Sequence, residues 1–313
     1  MLSYPKTIIE FQRQFPNEEA CIKYLYQSQW PEGFVCPVCG DRKAYYISTR
    51  RVFKCKANGH HTYLTAGTVM HGTRQPLLYW FWASYLMTTE TTGISAIQLQ
   101  RQLGIKRYEV AFQLLHKLRS SMVNPFRDKI GSTVEVDETY IGGPTTGGKR
   151  GRGTQKALVI VAVEKRGNKA GRIRLRHIPN LNEATIVRFV KDSIDEGATI
   201  ITDALKSYLS LNRYGYIHKP VVQKKAGKES SLPIAHIAIS NLKTFLKGTY
   251  HGVSKKHLQA YLNEYTFRFN RRFYPMAGFR TILGLSSRVE YPTYKGLYKG
   301  EWQHPNPKRA LVR

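Results

Sequence analysis

The stretch Val134-Glu135-Val136-Asp137-Glu138-Thr139-Tyr140-Ile141-Gly142-Gly143 constrains the chain more than any other. β-Branched and aromatic residues closed by a glycine pair predict a short strand. Period-two alternation sets Val134, Val136 and Tyr140 toward one face and Asp137 toward the other. A carboxylate in the middle of a strand is costly to desolvate unless a charge sits against it. Asp137 therefore lies on a wet face, pairs with one of the many cations, or belongs to a site.

Composition narrows the partner. The 313 residues carry 49 Lys+Arg against 21 Asp+Glu, a formal charge of +28. Such an excess calls for a polyanion, and nucleic acid is the first candidate. The longest apolar runs, such as Leu158–Val163, are too short to span a bilayer, and the first residues lack the apolar core of a signal peptide. The expectation is a cytoplasmic protein with no membrane partner, whose four cysteines are not disulfides.

Three of those cysteines fall in one short span. Cys36-Pro-Val-Cys39-Gly40 is a knuckle that turns two thiolates toward one Zn²⁺, and Cys55 offers a third. A second Cys-x-x-Cys would need Cys at 58, where Asn58 stands, so His60, or else His61, is expected to complete a Cys₃His site. The alternating segments around Ala44–Ser48 and Arg51–Lys54 supply ribbon strands. Closed four-coordination makes such a zinc structural.

Around the ribbon the pattern is helical. Residues 7–28 read as helix, with Asn17 opening an acidic first turn. Leu77, Trp80, Phe81 and Tyr85 recur at helical spacing, Ser95 caps a second helix that Gly104 breaks, and a third carries Ala111, Leu114, Leu115 and Leu118 on one stripe. Helix, glycine turn, helix is a helix-turn-helix pattern, and Lys106 and Arg107 at the turn are candidate DNA contacts. A plain helical hairpin has the same signature.

From 131 the chain turns to strands. A Gly-rich loop bearing Lys149, Arg150 and Arg152 separates the opening strand from the apolar Ala157–Val163, and the loop is read as phosphate-facing. Gly171–Ile178 alternates, Asn180–Glu183 opens a helix to about Glu196, and Ala198–Asp203 is a strand ending on an acid. Tyr216–Val222 is a further possible strand. Helices follow from Pro233 to Leu246 and after Ser254. This order predicts an α+β domain with a mixed sheet. The expected divisions are an N-terminal helical segment (1–34), a zinc ribbon (35–73), a helical DNA-binding region (74–125), a catalytic domain (131–288) and a basic tail (289–313). If the strands of Asp137 and Asp203 are neighbours, the carboxylates converge, and such a pair can hold Mg²⁺ for phosphodiester chemistry.

Taken together, Trp30–Gly40, Thr65–Thr68, Gly93–Gln100, Val134–Gly143, Thr202–Ala204, Gly248–Ser254 and Phe267–Arg272 resemble the DDE transposases of bacterial insertion sequences that carry an N-terminal zinc ribbon. The resemblance implies an RNase H-like catalytic fold with Asp137 and Asp203 on adjacent strands. It also implies metal-dependent cleavage and strand transfer on double-stranded DNA, at terminal repeats and a target, by a dimer or higher oligomer at the nucleoid. The family places a third metal-binding residue seven positions before a Lys. Lys243 lies seven after His236, so His236 stands where Glu is usual, with Asn241 as a competitor. Imidazole in that place favours Mn²⁺ over Mg²⁺. Two other expectations stay open: a DNA-binding regulator with an inactive RNase H-like domain, and a nuclease of repair or RNA processing.

Overall fold

The computed structural model describes residues 4–123, 127–142, 156–221, 232–283 and 296. The described residues fall into two compact units, one drawn from Met1–Met122 with Phe273–Trp302 and the other from Val123–Arg272. The expected loop cations and the tail 289–313, Gly296 apart, lie outside the described residues.

In the first unit, α1 (Ile8–Gln14) and α2 (Glu18–Gln29) replace the single helix expected over 7–28. Pro16 is the cause: the residue before a proline is pushed out of the helical region, and Phe15 sits at φ −128°. Asn17 caps α2 as its position predicted, its side chain accepting from the Ala20 N–H at 3.0 Å. A three-stranded antiparallel sheet of β1 (Ala44–Ile47), β2 (Val52–Cys55) and β3 (His61–Tyr63) follows. Then come α3 (Leu77–Thr89), α4 (Ala96–Leu103) and α5 (Tyr108–Ser121). Ser95 caps α4 by accepting from the Gln98 N–H at 3.1 Å, and Gly104 ends it at φ +63°, as read from the sequence.

These pieces are not three separate domains. Phe53 of the sheet packs on Tyr26 and Trp30 of α2, with ring centroids 5.2 Å apart in both pairs. Glu18 of α2 accepts the Leu77 and Leu78 N–H groups at the start of α3, at 2.9 and 3.1 Å. The segment after 272 also belongs here and not with the catalytic domain expected to run to 288. Phe279, fully buried on the short α9 (Phe279–Ile282), packs against Phe11, Phe15, Tyr24 and Phe81.

The second unit is built on a five-stranded mixed sheet in the order β6-β5-β4-β7-β8. Its strands are β4 (Thr133–Ile141), β5 (Ala157–Arg166), β6 (Lys169–Ile178), β7 (Thr199–Asp203) and β8 (Ile217–Val221). β4, β5 and β6 pair antiparallel, and β7 joins β4 in parallel, as does β8 with β7. One face carries α6 (Glu183–Ser193) and a 3₁₀ segment over Lys206–Tyr214, packed on Val134, Val136, Ile160 and Ile200. The other face carries α7 (Pro233–Tyr250) and α8 (Lys255–Asn270), packed on Val159, Val161, Val163 and Leu175. β5 is apolar because helices cover both of its faces. Two boundaries differ from expectation. α6 stops at Ser193, and α7 continues through Gly248 to Tyr250, where His251 ends it at φ +52°. One glycine costs a helix about 1 kcal/mol, less than the burial gained by the turns on either side.

Candidate functional site

The parallel pairing of β4 and β7 runs Thr133↔Thr199, Val134↔Ile200, Glu135↔Ile201, an offset that carries Asp137 to the level of Asp203. Neighbouring strands lie about 4.8 Å apart, so both carboxylates leave the sheet side by side. Alternation sends them to the face that α7 covers, while Val134 and Val136 enter the opposite core. Asp137 Oδ1 accepts the Glu138 N–H at 2.8 Å, and Asp203 Oδ1 accepts the Leu205 N–H at 3.2 Å. Burial raises the Asp137 carboxyl above its ordinary value and Asp203 adds to the rise, while the Glu138 N–H, His236 and Lys243 pull it down. Two acids held this close to each other form a place where a cation relieves repulsion.

Helix α7 brings His236 to Asp137, with Nε2 3.3 Å from Oδ2. Lys243 lies two turns on, near the same azimuth, and its charge reaches Asp137. Asn241 is five residues from His236, about 140° round the helix, and is exposed on another side.

The sequence reading missed what sets that helix in place. Glu135, only 1% exposed, points to the same face as Asp137, and its Oε2 accepts the Ile234 and Ala235 N–H groups, each at 2.9 Å. The signal was available, since an acid flanked by valines in a buried strand must have donors. Glu138 points to the other face and accepts from the Tyr208 hydroxyl at 2.9 Å. A second missed feature is a groove of about 880 Å³ that begins at Ala204 and Leu205, directly after Asp203. Lys156, Lys206, Lys255 and His177 line it.

In the first unit, the sulfurs of Cys36, Cys39 and Cys55 all lie within 4.8 Å of one another, with Cys39 and Cys55 3.6 Å apart. That separation is no disulfide, and it is close to the edge of about 3.8 Å of a tetrahedron with bonds of about 2.3 Å to a central metal. Burial would raise the Cys36 thiol, but the Cys39 and Val38 N–H groups and the other two sulfurs outweigh it and bring it down to about 7. Three such sulfurs fit zinc. Among the described residues this cluster holds the three cysteines, and neither the His60 nor the His61 ring nitrogens lie within 4.8 Å of all three sulfurs. The His60 carbonyl accepts from the Cys55 N–H at 2.9 Å and closes the turn, and His61 starts β3. Cys21 stands apart in α2, buried, with its thiol pushed up to about 12 by burial and by Glu18.

Lys106 and Arg107 are exposed on the turn between α4 and α5, where Arg107 meets Glu109 at 3.6 Å. The C-terminal half of α5 is buried from Leu114 to Ser121, so only its first turns face solvent. Lys149, Arg150 and Arg152 are outside the described residues. Among the described residues no helix is long and apolar enough to cross a membrane.

Residues 129–270 match the family model of the ISXO2-like transposase domain, and residues 16–61 match that of the transposase zinc-ribbon domain. No curated protein matches the chain.

Proposed function

Because a transposase zinc ribbon followed by an ISXO2-like transposase domain makes this chain an insertion-sequence transposase, we propose that it cuts double-stranded DNA at the ends of its element and joins them to a target. The observation that carries this reading is Asp137 and Asp203 at one level on adjacent parallel strands, with His236 3.3 Å from Asp137. In this reading the second unit is an RNase H-like catalytic domain, with β4 as its central strand. Asp137, Asp203 and His236 hold divalent ions, Mg²⁺ or Mn²⁺. When bound, such ions activate the attacking oxygen and stabilise the leaving one in phosphodiester exchange.

The residues of the chain do the rest. Lys243 holds a backbone phosphate beside the carboxylates, and Lys156, Lys206 and Lys255 carry the strand along the groove that starts after Asp203. Lys149, Arg150 and Arg152 add contacts from their loop. The zinc ribbon and the α4–α5 pair read the terminal repeats, with Lys106 and Arg107 on phosphate or bases at the exposed start of α5. The protein acts as a dimer or higher oligomer on DNA, in the cytoplasm at the nucleoid, since two ends must be held for one joining event.

The test uses the full chain and DNA carrying the flanks of its own gene, with Mg²⁺ or Mn²⁺. Cleavage at the repeat ends is expected, stronger with Mn²⁺, which tolerates a nitrogen ligand. Asp137→Ala and Asp203→Ala should bind DNA without cutting it, and His236→Glu should shift the preference toward Mg²⁺. Wild type that binds the ends but cuts with neither ion would hand the function to the regulator reading.

A further inference from the structure

The ribbon supplies three thiolates, and its fourth corner is set by a repeat in the backbone. In the first knuckle the Gly40 N–H donates to the Cys36 carbonyl at 3.0 Å, the Cys36 N–H donates to the Asp41 carbonyl at 2.9 Å, and Gly40 sits at φ +75°. Nineteen residues on, the same bonds recur. The Gly59 N–H donates to the Cys55 carbonyl at 3.0 Å, the Cys55 N–H donates to the His60 carbonyl at 2.9 Å, and Gly59 sits at φ +69°. The two turns are one structure used twice. Cys55 thus corresponds to Cys36, His60 to Asp41, and Asn58 to Cys39.

The side chains follow the backbone. The Asp41 N–H donates to the Cys39 sulfur. Its counterpart, the His60 N–H, donates to Asn58 Oδ1 at 2.9 Å. The amide oxygen therefore stands where the second knuckle would carry a sulfur. Oδ1 and Nδ2 of Asn58 both lie 3.9 Å from Cys36 Sγ, near the edge of about 3.6 Å expected for one oxygen and one sulfur on a tetrahedral zinc, and the bond from the His60 N–H identifies Oδ1 as the atom in the place of the sulfur. An amide oxygen has two lone pairs, so it can accept from His60 and still face the metal.

We propose that this zinc is held by Cys36, Cys39, Cys55 and the side-chain oxygen of Asn58. The proposal rests on the zinc assignment of the ribbon and goes beyond it in naming the fourth ligand. A neutral oxygen in place of a thiolate leaves one less negative charge on the site, and Cys39 is exposed. The zinc is accordingly more exchangeable than one held by four thiolates, which makes DNA-end recognition sensitive to zinc supply.

The experiment loads the full chain with Co²⁺ for absorption spectra and with Zn²⁺ for sulfur counting by X-ray absorption and for competition against a chelator. Wild type should show three sulfurs and one lighter ligand. Asn58→Cys should show four, a thiolate-to-cobalt band about a third stronger, and zinc held at least about tenfold more tightly. Asn58→Ala should lose zinc about tenfold more readily, whereas His60→Ala and Asp41→Ala should match wild type. If Asn58→Ala misfolds, Asn58→Cys decides alone, because it adds a ligand and removes no structure. A sulfur count that stays at three in Asn58→Cys, or a loss of zinc that follows His60→Ala and spares Asn58→Ala, overturns the ligand while leaving the ribbon's zinc in place. Purified protein with no zinc would overturn both.

Discussion

Glu135 is the residue on which the geometry of the acidic site turns, and its removal gives a quantitative expectation. Helix α7 starts with Pro233, which has no N–H, and its N-cap Leu232 offers no side-chain acceptor. The donors left to satisfy are those of Ile234, Ala235 and His236. The His236 N–H reaches the Leu232 carbonyl at 3.0 Å, and the other two reach Glu135 Oε2 at 2.9 Å. Glu135 thus does from another strand what a Ser or Asp at the cap would do locally. In Glu135→Ala both N–H groups, on residues no more than 5% exposed, lose their acceptor. Each orphaned group costs about 1–3 kcal/mol, so the variant should lose about 2–6 kcal/mol. Glu135→Gln keeps an oxygen but loses the charge at the positive end of the helix, a cost of about 1–2 kcal/mol.

Urea unfolding of the full chain measures this well because the two units report separately. All four tryptophans, at 30, 80, 82 and 302, lie outside 123–272. Fluorescence therefore follows the first unit, and far-ultraviolet dichroism follows both. Glu135→Ala should move the dichroism transition to lower urea and leave the fluorescence transition in place. Hydrogen exchange at Ile234 and Ala235 should quicken, and cleavage should fall because His236 is the next residue. Unchanged exchange at these amides, with unfolding within about 0.5 kcal/mol of wild type, would refute the capping role.

Three further outcomes follow from named contacts. Burial would raise the Glu164 carboxyl, but Arg172 and Arg166 hold it below the ordinary 4.5, so its folded value is depressed. Its contribution is present above the ordinary value and is lost as pH falls through the depressed one. Glu164→Gln should therefore cost about 1–2 kcal/mol at neutral pH, with the gap closing below pH 4.5 in urea titrations repeated across pH. Phe279→Ala empties a fully buried aromatic site and should destabilise the tryptophan-reported transition by about 3–5 kcal/mol, whereas an effect confined to dichroism would return 273–283 to the second unit. Replacing Lys156, Lys206 and Lys255 together by Gln should flatten the log–log salt dependence of DNA binding by up to about 3, and an unchanged slope would exclude the groove as a DNA path.

Much of the fold could be read from local pattern because local chemistry determines it. Ser95 and Gly104 bound α4 by a side-chain cap and a left-handed turn, and both are visible in the residue types. The alternation of β4 separates Asp137 from Val136 without any tertiary knowledge. What the sequence hid is non-local. Phe279 enters an aromatic cluster with Phe11 and Phe81 from the far end of the chain, and no window of residues carries that information. His60 reads as a ligand because Cys and His spacing is counted along the chain, whereas the repeat of the knuckle lies in hydrogen-bonded turns at Gly40 and Gly59 that only the folded backbone displays.

The third residue of the acidic site shows the same division most sharply. Seven-residue spacing to Lys243 favours His236, but spacing says only which side chains share a helix face, not where along the helix the face meets the sheet. Asn241 would serve only if α7 slid by five residues, about 7.5 Å along its axis, and also turned by about 140°. Such a slide would carry the Ile234 and Ala235 N–H groups away from Glu135 and leave a buried carboxylate without donors. Glu135 is two residues before Asp137 on one strand, and Ala235 is one residue before His236 on one helix. The bond between them therefore ties the strand of Asp137 to the helix register. A single buried acid, two positions from the residue that drew attention to this strand, decides which side chain of α7 meets Asp137.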